Sequence, residues 1–344
     1  MRKYFVGLDV HWKHTNICIL DARGKKVKRM TVRGKWPKVA EELRKLRGKL
    51  FVCYEASCGY GYLYELFNAV AQRVVVAHPG QLRLIFRSKR KKDRVDAEKL
   101  AKLLFLDEVP TVHVPSRNVR AWRQLIEYRI RLVNKRTRAK NSCRALLRSL
   151  GIRVPQRLDL WTRRGMRWLH ALELPDAMHA LRRDMLLEEI EMFNEQIARS
   201  EKALKQFSTG NPAVELLMTI PGVGLRTAET VVAYLDDPSR FRRNKLVGAY
   251  LGLVPCQDQS GNTNRLGHIT REGPASVRRM LCEATWQAIR YSPTTQRYFE
   301  RIAQGNKDRR KIAIVATAHY LARVMLAMLR TGEAWRETEP KRAA

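Results

Sequence analysis

Acidic residues are scarce in this chain: 33 Asp and Glu stand against 67 Lys and Arg over 344 residues, a formal net charge of +34. So one-sided a balance points to a polyanionic partner. Long apolar runs are lacking too, since none approaches the ~20 residues of a membrane-spanning helix. The opening MRKYFVGLDVHWKH has neither the apolar core nor the cleavage site of a signal peptide. Membrane lipid is thereby set aside as the polyanion, and nucleic acid is favoured. The six cysteines, at 18, 53, 58, 143, 256 and 282, include no CxxC pair and no nearby Cys/His set with zinc-finger spacing. They read as reduced, intracellular thiols, with Cys18 and Cys53 acting as small hydrophobes inside apolar strands. No internal repeat is evident. What is present suffices for a folded protein, because 45% hydrophobic residues supply a sizeable core for two or three domains.

The first hundred residues alternate strand and helix signals. KYFVGLDV, TNICILD and KKVKRMTV read as three consecutive strands, the last two separated by a turn at Arg23-Gly24. A polar helical stretch follows at 36 to 48, then the apolar run LFVCYEA, a helix at 61 to 71, the buried-type strand RVVVAH and the amphipathic stretch KKDRVDAEKLAKLL. A meander followed by strands with intervening helices predicts a mixed α/β sheet flanked by helices, as in the RNase H-like fold.

Beyond residue 116 the pattern becomes helical and basic. Arg117, Arg120, Arg123, Arg129, Arg131, Lys135, Arg136, Arg138, Lys140, Arg144 and Arg148 accompany a stripe of Leu125, Ile126, Leu132, Val133, Leu146 and Leu147. A second long helix carries Leu186, Ile190, Phe193, Ile197 and Leu204 at coiled-coil steps, compatible with an intramolecular hairpin and with pairing to a second subunit. After STGNP come ELLMTIPGVGLRTAETVVAYL, FRRNKLVGAYLGLVP, a polar loop CQDQSGNTNRLGHITREG and two further helices to about 331. The tail RETEPKRAA reads as disordered.

Four carboxylates stand out. Asp9 ends the first strand, Glu55 ends the fourth, and Asp93 with Asp96 sit three apart on one helix face. Strand carboxyl ends converge in a sheet of this type, and four carboxylates in one place need cations to neutralise them. Oxygen ligands suit Mg²⁺, and two such ions about 4 Å apart can stabilise both the attacking and the leaving oxygen of phosphoryl transfer. One or two Mg²⁺ are therefore expected. A structural explanation also exists for some of these groups: Asp93, flanked by Lys91, Lys92 and Arg94, and Asp96 are equally at home as solvated charges near a helix start. Asp9, inside an apolar strand, is expensive to bury without a partner.

In IPGVG, Gly222 and Gly224 suggest a helix-hairpin-helix turn that lets the backbone approach a phosphate, although a tight interhelical turn needing glycine is the commoner explanation of such a pair. Ser260 lies in ordinary turn chemistry, yet Arg265, His268, Arg271, Arg278 and Arg279 follow it closely, a setting in which an activated hydroxyl can attack a phosphodiester. Trp122, Trp161 and Trp168 among the arginines offer stacking surfaces, with core packing the commoner use.

Taken together, GLDVHWK, YEAS, KKDRVDAEKLA, TIPGVGLRTA, FRRNKLVGAYLGLVP, DQSG and GHITREGPASVRRML, in this order over nearly the whole chain, resemble the DEDD-type transposases of insertion sequences that encode a structured bridge RNA, the bridge recombinases. The resemblance implies a RuvC-like catalytic domain at 1–112, a basic helical coiled-coil domain at 113–208, a mainly α C-terminal transposase domain at 209–335 and a tail at 336–344. It implies a metal-binding tetrad of Asp9, Glu55, Asp93 and Asp96, and Ser260 as the nucleophile of a transient phosphoserine link to DNA. Implied partners are a noncoding bridge RNA, donor and target DNA, and further copies of the chain, as a dimer and as a tetramer in the synaptic complex, in a prokaryotic, nucleoid-associated cytoplasmic setting. Nucleic-acid contacts are expected at Arg117, Arg120, Arg123, Arg131, Lys135, Arg136, Arg138, Gly222, Gly224, Arg265, Arg271 and Arg278. Pro274 stands where the family pattern leads one to expect Asn.

Three other readings compete. A metal-dependent Holliday-junction nuclease would use the same carboxylates with water as nucleophile. An actin-like ATPase or sugar kinase would share the GLDV strand but need later glycine-rich adenosine motifs, which are not found. A non-catalytic RNA-binding scaffold would leave the carboxylates incidental.

Overall fold

The structure is a computed structural model that describes residues 2–57, 59–85, 93–260 and 263–338; the side chains of Asp93 and Arg94 lie outside the description. The chain forms two compact units that divide after Arg120.

In the first unit β1 (Lys3–Val10), β2 (His14–Leu20) and β3 (Lys26–Arg33) form the expected antiparallel meander. Helix α1 (Trp36–Arg44) leads to β4 (Lys49–Glu55), which lies parallel to β1, and α2 (Tyr60–Asn68) leads to β5 (Arg73–Ala77), parallel to β4. The sheet order is β3-β2-β1-β4-β5. A short α3 (Pro79–Ile85), which the apolar pattern does not announce, precedes α4 (Asp93–Phe105).

Period-two alternation sorts the side chains of this sheet. Tyr4, Val6 and Leu8 of β1 and Leu50, Val52 and Tyr54 of β4 share one core with Val39 and Leu43 of α1 and Leu63 and Phe67 of α2. The intervening residues face α4: Phe5 and Cys53 pack with Leu100, Leu103 and Leu104, and Cys18 and Leu20 with Ala97 and Ala101. The mixed sheet is thus covered on both faces by helices.

The second unit is helical. Helix α5 (Arg117–Ser149) begins in the first unit and continues through the second, followed by α6 (Arg163–Ala171) and α7 (Ala177–Ser208). Thr162 and Asp176 cap the last two, accepting from Gly165 N and His179 N. Leu132, Ala139, Cys143 and Leu147 of α5 meet Leu187, Ile190, Phe193 and Ile197 of α7. Arg129 donates to Glu201 at 2.5 Å and Arg136 to Asn194 at 2.8 Å. Most of the predicted seam is therefore spent within one chain, as a helical hairpin, with Leu186 at its edge and Leu204 in the neighbouring core.

Next come α8 (Pro212–Met218), α9 (Leu225–Leu235), α10 (Leu246–Tyr250), β6 (Pro255–Ser260), β7 (Thr263–Ile269), α11 (Ala275–Tyr291), α12 (Pro293–Ala303) and α13 (Arg310–Thr331). Their core also takes in Trp122, Ile126 and Ile130 of α5 and Leu204 of α7, so the stretches on either side of residue 208 are packed as one body. Trp122 belongs to this core, Trp168 packs partly buried against the hairpin core, and Trp161 lies beneath Lys140 Nζ and the Arg144 guanidinium at 4.9 and 5.0 Å from its ring centre.

Three expectations change. The polar loop after Pro255 is a two-stranded hairpin. Among the described residues one helix, Lys307–Thr331, is apolar and long enough to cross a membrane by length and composition, contrary to the reading that no run comes close; half of its apolar window is buried inside this fold. Residues 336–338, read as the start of a disordered tail, are tied to α12: Thr294 N and Trp335 Nε1 both donate to Glu337 at 2.9 Å. Burial pushes the Glu337 carboxyl up, but the hydrogen bonds it accepts from Thr294 and Trp335 prevail and lower it to about 2. Residues 339–344 lie outside the described residues.

Candidate functional site

Strand register brings Asp9 and Glu55 together. Leu8 pairs with Tyr54 across the parallel β1–β4 ladder, so Asp9 and Glu55 are the next residues at the carboxyl ends of adjacent strands. Both fall in the alternation that faces α4, with Phe5 and Gly7 in β1 and with Phe51 and Cys53 in β4.

Helix α4 then brings its first turns to that end. A Cβ on Gly7 would collide with Ala97 O and Ala101 N, so the helix backbone lies directly on β1 at this glycine. Further along, Phe105 meets Phe5 edge-on at 5.4 Å. Helix α4 therefore runs antiparallel to β1, and its first turns, which hold Asp93 and Asp96, lie toward the end of β1 where Asp9 sits.

Asp9 is only partly exposed, 21% at its side chain, and its Oδ2 receives His11 Nε2 at 3.1 Å and Asn16 Nδ2 at 3.4 Å. Asn16 is Asp9's register partner on β2, and its Oδ1 accepts from Thr31 Oγ1 at 2.8 Å. Glu55 is exposed, and Asp96 accepts from Lys99 at 3.4 Å. Among the described residues no group of three His, Cys, Asp or Glu side chains is drawn together tightly enough to hold a metal ion, and the Asp93 side chain lies outside them. Asp9 and Glu55 supply the hard oxygen donors that a divalent ion takes; His11 and Asn16 now occupy one lone-pair edge of Asp9.

Gly7, His11 and Asn16 were not singled out from the sequence. For Gly7 the signal was available, since in a strand that ends in Asp9 the residue two before it must lie on the same face. The hydrogen bonds of Asn16 depend on strand register and left no mark in the sequence.

Ser260 closes β6, exposed and in register with Thr263. Asp258 pairs in register with Arg265, and Gln257 donates to Asn264 at 3.0 Å. Except at Ile269, every described residue of the two strands is exposed. The base, in contrast, is pinned. Gly252 and Gly273 have φ of +64° and +69°, and a Cβ on either would strike the other segment's backbone, at Glu272 and at Tyr250 respectively. Arg278 Nη1 donates to Leu251 O, Glu272 O and Gly273 O at 3.0, 2.5 and 3.2 Å. Pro274 is the N-cap of α11 and provides no side-chain cap.

The predicted nucleic-acid residues divide. Arg117, Arg131, Lys135, Arg138, Arg265 and Arg271 are exposed. Arg120 is held by Glu65 and Pro115 O, Arg123 donates to Ala233 O and Tyr234 O at 2.7 and 3.1 Å, and Arg278 makes the clamp just described. Those three guanidiniums hold the fold, and Arg136 is tied to Asn194. Burial lowers the affinity of Arg278 for its proton, and nearby Arg271 adds to this.

In the IPGVG turn Gly222 has φ of +86° and a Cβ there would run into Ala288 N of α11 at 2.5 Å, so the turn and the close helix approach both require glycine. Gly224 is extended, caps α9 and has open space about it. Behind it Glu229 is fully buried, accepting from Ser208 at 2.8 Å and Arg226 at 2.7 Å. Burial raises its carboxyl, opposed by those two partners.

Comparison with known proteins gives a consistent result. Residues 214–300 match the family described as Transposase IS116/IS110/IS902 family, and residues 6–152 match a DEDD transposase family of the IS110 type. A probable family 20 transposase of Pseudomonas aeruginosa is 30% identical over 244 residues, covering 70% of this chain and 72% of the relative. The putative transposase y4qE of Sinorhizobium fredii is 27% identical over 96% of this chain and 83% of its own length. The transposase for insertion sequence element IS1111A of Coxiella burnetii is 26% identical over 96% and 91%.

Proposed function

The chain belongs to the IS110/IS116 family of insertion-sequence transposases and is a DNA transposase; from that premise we propose that Asp9, Glu55, Asp93 and Asp96 hold one or two Mg²⁺ ions and that Ser260 is the nucleophile that cuts and rejoins DNA. The observation that carries the reading is the shared face of the sheet: Asp9 and Glu55 end adjacent parallel strands on the side covered by α4, whose first turns carry the other two carboxylates. A divalent ion bound there supplies Lewis-acid stabilisation of charge on the phosphate oxygens. The chain's own part is to bind and to aim. Ser260 Oγ attacks phosphorus, the bond to the leaving strand's oxygen breaks, and the serine proton ends on that oxygen as a hydroxyl. Attack by the hydroxyl of the incoming strand then releases the serine. Exposure of Ser260 on a projecting hairpin suits a hydroxyl that must reach a strand held elsewhere.

Guidance by a structured bridge RNA that pairs with donor and target DNA belongs to the same proposal. A net charge of +34 and the exposed cations of α5 suit backbone recognition of both RNA and DNA, which carries little sequence information of its own. Assembly into a dimer, and a tetramer on DNA, is supported by a second stripe on α7. Met178, Leu181, Met185 and Met192 are 84%, 62%, 58% and 44% exposed at helical spacing, an apolar face left over after the hairpin with α5 is made.

The test uses the protein with its flanking RNA, Mg²⁺ and end-labelled donor and target DNA, run on a denaturing gel. Label should stay with protein until protease treatment, vanish in Ser260→Ala, and vanish in Asp9→Asn with RNA binding retained. Cleavage without an adduct, unaffected by Ser260→Ala, would make water the nucleophile and remove the serine step.

A further inference from the structure

Tied to Asp9 through His11, the first unit displays an aromatic cluster that no step above uses. Trp12 lies in the β1–β2 turn with 78% of its surface exposed, and Tyr62 on α2 is 50% exposed. Between them Trp36, at the start of α1, stands edge-on to Trp12 at 5.2 Å and tilted against Tyr62 at 5.9 Å. With Lys13, Gly34, Lys35 and Pro37 they line an open cleft of about 650 Å³.

The cluster is built rather than incidental. Gly59, at φ +80°, leaves the space that the Trp36 ring fills, since a Cβ there would come within 2.7 Å of it. Trp36 Nε1 donates to His11 O at 3.0 Å, and His11 Nε2 reaches Asp9 Oδ2 at 3.1 Å. Two hydrogen bonds thus link the cleft wall to the first carboxylate. A tryptophan as exposed as Trp12 covers no core, and its surface is available to a flat partner.

Flat apolar faces flanked by lysines match one chemistry well: a nucleobase on a phosphate backbone, with the ring stacked and the phosphates near the ammonium groups. A paired base keeps its faces inside the duplex, so the base must be unpaired. We infer that Trp12, Trp36 and Tyr62 form a stacking site for an unpaired base of the DNA strand that runs past Asp9 and Glu55. The choice of DNA rests on the proposed function, because the strand nearest the carboxylates is the one being cut. Lys13 and Lys35 hold its phosphates, and the site keeps the strand splayed beside the reacting phosphodiester.

The experiment uses the full-length protein without divalent metal and a short single-stranded oligodeoxynucleotide carrying 2-aminopurine, whose fluorescence falls on stacking against an aromatic ring. Its duplex and an RNA of the same sequence are measured alongside. The single strand should be quenched on binding. Trp12→Ala, safe to make because Trp12 is so exposed, should abolish most of the quenching and weaken single-strand binding about tenfold; duplex affinity should stay unchanged, and Trp12→Phe should restore most of the effect. Equal quenching and affinity in Trp12→Ala would overturn the site, and preferential quenching of the RNA would overturn DNA as its occupant. Asp9→Asn separates the two readings, since it should retain the quenching while losing strand cleavage. Normal cleavage by Asp9→Asn would refute the carboxylate reading and leave the stacking result to stand or fall separately.

Discussion

Gly7 has no chemistry of its own, yet it decides where the chemistry sits. Its missing side chain lets α4 lie against β1 two residues before Asp9, and a Cβ there would meet the helix backbone rather than a side chain that could swing aside. Gly7→Val should therefore push α4 off the sheet, costing about 2 kcal/mol or more and removing strand cleavage together with stability. Urea melts and the denaturing-gel assay, run side by side, check this; an active, fully stable variant would mean that the helix has another way to dock. The effect differs in kind from Asp9→Asn, which should leave the melt almost untouched. At this scale the sequence placed Asp9 and Glu55 at strand ends, where the register has them, and was a poor guide to the basic residues. An aspartate in an apolar strand advertises its cost, whereas nothing in the letters distinguishes Arg123 and Arg278, caged by backbone carbonyls, from the exposed Arg131 and Arg138.

Among the elements, the five-stranded sheet was legible because its strands carry apolar residues at strand spacing and its turns carry Gly and charge. The β6–β7 hairpin was not, because the stabilising alternation is absent: both faces are wet, and polar residues fill almost every position. The one available signal was Gly261-Asn262, a two-residue hairpin dipeptide, which lies outside the described residues. Long helices were legible as helices and the seam of α7 was the right one, but whether α5 or a second copy covers it was not, since the same spacing serves both. Arg278 links this hairpin's base to α11 through three carbonyl oxygens. Without that guanidinium the three carbonyl oxygens lose their shared donor, so Arg278→Ala should lose most of the DNA–protein adduct and lower stability by about 1–3 kcal/mol. Adduct yield and thermal melting measure the two separately. Full adduct yield in the variant would show that the clamp does not position Ser260.

At the scale of the whole molecule, a net charge of +34 should make affinity for DNA and RNA fall steeply with salt, because each neutralised phosphate releases counterions. The exposed cations of α5 give this a local test. Replacing Arg131, Lys135 and Arg138 together by Gln should make the log–log salt dependence of duplex binding shallower by about 2 to 3, with the melting temperature little changed, since none of the three is buried. An unchanged slope would move the nucleic-acid path off this helix.

The hairpin that carries Ser260 has one more consequence. Its two strands bury almost nothing, so substitutions along them cost the fold little. Where a side chain is buried, a harmful change damages packing and activity at once, and the two kinds of harm are hard to separate. Between Pro255 and Ile269 they come apart: a variant that folds normally and yet fails has lost something the substrate needs, and the tolerance of each position to mutation becomes a direct record of what the DNA demands there.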